Sequence, residues 1–64
     1  MRTVTFLQSG EVTWTSMSGK TEHRRYIPAG TELILRVVEV EGGYELWDGN
    51  WSIVVPVDLV RIAS

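Results

Sequence analysis

Residues 32–56 read ELILRVVEVEGGYELWDGNWSIVVP, three apolar runs separated by two glycine turns. Leu33, Leu35 and Val37 alternate with other residues, the period of two expected of a strand with one face buried. The phase then slips: Val38 and Val40 are apolar while Glu39 and Glu41 are charged. Such a slip predicts a bulge or a sharp bend in the strand over Glu32 to Glu41. Gly42-Gly43 follows as a tight hairpin signal, and Tyr44 to Trp47 forms the return strand. Asp48-Gly49-Asn50 supplies a second hairpin turn, after which Trp51 to Val55 continues the meander. Tyr44 and Leu46 share a face, so Trp47 faces the other way.

Outward from this meander the chain keeps the same character. Arg2 to Leu7 is a strand with Val4 and Phe6 on one side and Thr3 and Thr5 on the other. Ser9-Gly10 breaks it, and Glu11 to Thr15 forms a short extended piece with Val12 and Trp14 in phase. Ser16 to Arg25 is polar and reads as a loop. Tyr26 to Thr31 re-enters through a turn in which Pro28 presets φ and Gly30 can take a positive one. Pro56 to Leu59 is a short turn, and Val60 to Ile62 a final strand. No segment holds apolar residues at helical spacing for three turns.

Composition narrows the function classes. With 64 residues the chain makes one domain, residues 1–64, and a domain this small buries only about 60% of its unfolded surface. Cysteine is absent and there is one histidine, His23, so thiolate metal sites and disulfides are excluded and no metal or other cofactor is expected. No signal-like or membrane-spanning apolar run occurs, which predicts a cytoplasmic protein without a membrane partner. The net charge of −2 disfavours a general nucleic-acid binder.

The order of these pieces resembles the Src-homology-3 fold. The correspondences are a first strand, a long polar loop over Gln8 to Arg25 and a diverging turn over Ile27 to Thr31. A three-strand meander, a 3₁₀ turn led by Pro56 and a closing strand complete them. The resemblance implies an all-β fold: a five-stranded Src-homology-3-like barrel with a long polar loop after the first strand and a 3₁₀ turn before the last. It does not imply the peptide-binding activity of the family. The first strand, Thr3 to Leu7, lacks the tyrosine pair, Leu59 stands where the groove tyrosine is expected, and Tyr44 stands near the place of the tryptophan. A polyproline ligand needs that aromatic ladder. The chain also looks like the short proteins of bacteriophages, which implies a partner in the host cytoplasm.

Several residue groups are candidates for partner binding. Lys20, His23, Arg24 and Arg25 make a basic cluster beside Tyr26, suited to phosphate or to an acidic protein surface, or simply to a solvated loop. Glu39, Glu41 and Glu45 are expected to crowd on one exposed face of the hairpin, with Asp48 nearby, to steer a basic partner, to allow head-to-tail self-association with the positive loop, or to keep an edge soluble. Three tryptophans exceed what a small core can hold, so Trp47 is expected either as an interface anchor or as a cover over the open side of the barrel. Ser18-Gly19-Lys20-Thr21 ends like a phosphate-binding loop, but Trp14 stands where that motif needs glycine and no helix follows. No catalytic residues are assigned, because no base accompanies a nucleophile in a visible cleft.

The sequence therefore leads to a small protein-interaction module, with a phage protein that binds and modulates a bacterial host protein as its most specific form. Two alternatives stand beside it. One is a nucleic-acid-binding small barrel that uses Lys20, Arg24 and Arg25 on phosphates with Tyr26 or a tryptophan stacked on bases. The other is a homo-oligomeric structural or ligand-sequestering protein.

Overall fold

The computed structural model describes residues 1–63 as an all-β chain of seven strands and one 3₁₀ turn. The strands are β1 (Arg2–Phe6), β2 (Gly10–Ser16), β3 (Glu22–Ile27), β4 (Glu32–Val40), β5 (Gly43–Asp48), β6 (Trp51–Pro56) and β7 (Val60–Ala63), with the 3₁₀ turn at Val57–Leu59 before the last. All pairings are antiparallel, and the order across the sheet is β3-β2-β6-β5-β4-β1-β7.

The meander lies where the glycine turns place it. β4 pairs with β5 from Arg36↔Trp47 to Val40↔Gly43, and β5 pairs with β6 from Gly43↔Pro56 to Asp48↔Trp51. Gly42 has φ +76° in the first turn, a conformation that an L side chain resists. Gly43 is needed for another reason. A Cβ there would collide with the Val55 carbonyl oxygen and lie 3.0 Å from the Val55 carbonyl carbon. The turn between β3 and β4 is tied to β1 by Gly30 N–H donating to Phe6 O at 2.7 Å, with Gly30 at φ +87°.

β4 is the longest strand and belongs to both halves of the sheet. Its first part, Glu32 to Leu35, pairs with β1, and its second, Arg36 to Val40, pairs with β5. Of the expected bulge or sharp bend, the bulge is absent: both registers run without a skipped residue. The change of apolar phase has another cause. Val38 and Val40 point away from the core and stay exposed, while Leu35 on the other face is buried.

One core lies against the inner face. It contains Val4, Phe6, Trp14, Ile27, Leu35, Leu46, Ile53, Val55 and Val60, flanked by half-buried Val12, Leu33, Val37, Tyr44, Trp51, Leu59 and Ile62. Removing such apolar surface from water is the main favourable term in the folding of a domain this small.

Three expectations are corrected. There are seven strands, not five. The long polar loop is a hairpin: β2 and β3 pair over six residues, from Gly10↔Ile27 to Thr15↔Glu22. The sheet is not a closed barrel, since β3 and β7 end the strand order as two separate edges. The physical reason lies in β3. Of its six residues only Ile27 is buried, so it presents charge on both faces and offers no apolar side for a further strand to cover.

Candidate functional site

The pleat of β3 divides the basic cluster. In the β2–β3 register Trp14 faces His23 and Val12 faces Arg25, so His23 and Arg25 lie on the inner side with Trp14. Glu11 faces Tyr26 and Thr13 faces Arg24, which puts Arg24 and Tyr26 on the outer side. There Arg24 Nε approaches Glu11 Oε1 at 3.7 Å, the one ion pair among the described residues, and both side chains are largely exposed. Lys20 sits in the connecting turn. That turn is held by Gly19 N–H donating to Ser16 O at 2.8 Å and Met17 N–H donating to Asn50 O at 2.8 Å. It joins two strands, so the phosphate-loop reading of Ser18 to Thr21 has no helix to support it.

His23 and Arg25 meet residues from the second glycine turn. Together with Trp14, Asp48 and Trp51 they line a hollow of about 240 Å³. The rings of His23 and Trp51 lie 6.0 Å apart, tilted by 56°. Trp14 is buried to 2% exposure, and its indole N–H is enclosed without an acceptor. Arg25 and Asp48 carry opposite charges on the lining of this hollow yet form no ion pair with each other. The inner face is otherwise apolar at its core, so the hollow is where it turns polar. No group of three or more metal-ligating side chains occurs among the described residues.

The second arrangement lies on the opposite face. Trp47 is half-buried there, because β5 alternates and Leu46 takes the inward position. Its indole N–H donates to Glu45 Oε1 at 2.8 Å, and the Arg36 guanidinium carbon lies 5.2 Å from the ring centre, a cation–π contact. Beside this trio Val38, Glu45 and Val54 form a row across β4, β5 and β6, with Val54 67% exposed. A rigid indole thus sits next to open valine surface.

The acidic trio does not gather as expected. Glu45 lies on the outer face with Val38 and Val54. Glu39 pairs with Tyr44 and points to the opposite side, and Glu41 occupies the turn. Strand alternation separates Glu39 from Glu45, since the register places Glu39 beside Tyr44 rather than beside Glu45. Sequence reasoning missed Asp48 and Trp51 as site residues. Once β3 is seen as a strand, its inward His23 and Arg25 carry the signal that would have found them.

Compared with known protein families, with curated proteins and with solved structures, the chain matches none. No helix among the described residues is long and apolar enough to cross a membrane.

Proposed function

We propose that this chain is a small protein-interaction module that acts by binding and performs no catalysis. The observation that carries the reading is Trp47, fixed by Glu45 and Arg36 on an exposed sheet face beside Val38 and Val54. An aromatic anchor held in one orientation loses little entropy when a partner covers it, and tryptophan and arginine dominate binding energy at interfaces. The mixed rim of Arg36 and Glu45 suits a protein surface better than a uniformly charged polymer. The fold reading that goes with it is the Src-homology-3-like one, supported by the order β7-β1-β4-β5-β6 and the 3₁₀ turn before β7. The resemblance to short bacteriophage proteins makes a bacterial host protein the partner class.

The test begins with affinity capture from bacterial lysate, followed by calorimetric titration of the purified partner. Trp47→Ala and Val54→Glu each weaken binding about tenfold or more, as expected of residues at the centre of an interface. Asp58→Ala, in the exposed 3₁₀ turn, leaves it unchanged. Equal affinities for all three variants, or no protein retained in stoichiometric amount, refute the proposal.

A further inference from the structure

The hollow on the inner face holds chemistry that the outer face does not use. Trp47 pairs with Ser52 and Trp51 pairs with Asp48, so the two tryptophans face opposite sides of the sheet. A ligand in the hollow is therefore independent of the interface around Trp47. The lining offers an indole surface from Trp51 and an imidazole tilted against it, a carboxylate at Asp48 and a guanidinium at Arg25. Arg25, His23 and Asp48 are all exposed and free of ion pairs among the described residues. A ligand that engages all of them is planar and carries both N–H donors and an anion.

We propose that the hollow binds a guanine nucleotide unit, with the base stacked on Trp51, its N–H edge on the Asp48 carboxylate and its phosphate on Arg25. Each part follows from functional-group chemistry. An ionised carboxylate accepts only, through two oxygens side by side. Guanine places the ring N1–H and the exocyclic amine next to each other on one edge, so it alone among the common bases gives that carboxylate two parallel donors. Adenine and cytosine each set an acceptor nitrogen beside their amine, and uracil flanks its single N–H with two carbonyls. Arg25 supplies the planar fork that suits a phosphate, with His23 beside the same hollow. A volume of about 240 Å³ takes one flat base and leaves sugar and phosphate at the rim, where Arg25 is exposed. Stacking of a base on an aromatic side chain is a recurrent source of affinity for unpaired bases.

The basic cluster is thereby split by role. Arg25 and His23 belong to the site, whereas Arg24 and Tyr26 face away and Lys20 lies in the turn. The shared chemistry occurs in free guanine nucleotides and in single-stranded RNA, and the experiment separates them.

Tryptophan fluorescence of the full chain is followed during titration with GMP, AMP, CMP, UMP and guanosine, and with two short single-stranded RNAs that differ by one guanine-to-adenine change. GMP is expected to give saturable quenching at a concentration at least about tenfold below that of the other nucleotides. Guanosine binds more weakly than GMP because it lacks the anion. Asp48→Asn, at an exposed position, replaces one acceptor oxygen by a donor and removes most of the preference for guanine. Arg25→Ala makes guanosine and GMP equivalent. The guanine-containing RNA binding more tightly than GMP, with steep salt dependence, identifies single-stranded RNA as the source; equal affinity identifies the free nucleotide. Equal quenching by all nucleotides, no saturable quenching by any probe, or an unchanged guanine preference in Asp48→Asn overturns the proposal.

Discussion

Replacing Gly43 by alanine tests the packing of the meander where β5 runs beside β6. The added methyl would collide with the Val55 carbonyl oxygen and lie 3.0 Å from the carbonyl carbon and 3.2 Å from Pro56 Cα. All three atoms are backbone, so no side chain can swing aside. β5 and β6 must separate where Gly43 pairs with Pro56. Overpacking of this kind costs about 1–3 kcal/mol, and a backbone obstacle puts Gly43→Ala near the upper end. A domain of this length has roughly 3–10 kcal/mol of stability in total. At about 4–8 °C per kcal/mol, the melting temperature should fall by roughly 10–20 °C. Two neighbours calibrate the result. Gly42→Ala meets open space but has φ +76°, and should cost about 1–2 kcal/mol. Gly10→Ala meets open space without a positive φ, and should leave stability unchanged or raised by up to about 1 kcal/mol. Thermal unfolding followed by circular dichroism gives the ranking. If Gly43→Ala melts at or above the temperature of Gly42→Ala, the close approach of β5 and β6 is wrong.

The other consequences concern side chains. Trp14→Ala should cost about 3–5 kcal/mol, the usual range for emptying a buried aromatic site. Trp14→Phe should cost well under half of that, because it also removes an indole N–H that is buried without an acceptor; equal losses in urea titrations would contradict this. The Glu11–Arg24 pair is exposed and 3.7 Å long, so a double-mutant cycle should give a coupling below about 0.5 kcal/mol. A coupling above about 1 kcal/mol would mean that the two groups are held more tightly than their exposure implies.

Most of the sheet was legible in the sequence because alternation and turn chemistry agree there. Val4 and Phe6, like Leu33 and Leu35, specify an inward face, the two glycine turns specify the β4–β5 and β5–β6 pairings, and Pro56 marks the 3₁₀ turn correctly. The shared phase of Val12 and Trp14 was legible, but which of the three tryptophans fills the core was not, and Trp14 takes that place. β3 was not legible. Its residues Glu22 to Tyr26 are exposed, so ladder bonds to β2 hold them rather than buried alternation. Taking β3 for a loop hid the candidate site as well. A loop carries its charges as one cluster, whereas a strand sends Arg24 to one side and Arg25 to the other. The acidic residues were misjudged for the same reason in reverse, since pleat direction decides which of Glu39 and Glu45 meets which neighbour.

β4 has a mechanical consequence. One of its ends is bonded to β1 and the other to β5, and Leu35, which pairs with Arg2, is buried in the shared core. Fraying of either half must stop at this strand or pass through it. Amide protons near Leu35 and Arg36 should therefore exchange with solvent only when the whole molecule opens. Those of β3, which lean on a single neighbour, should exchange far sooner, and the wall of the hollow that carries His23 and Arg25 can shift without unseating the rest.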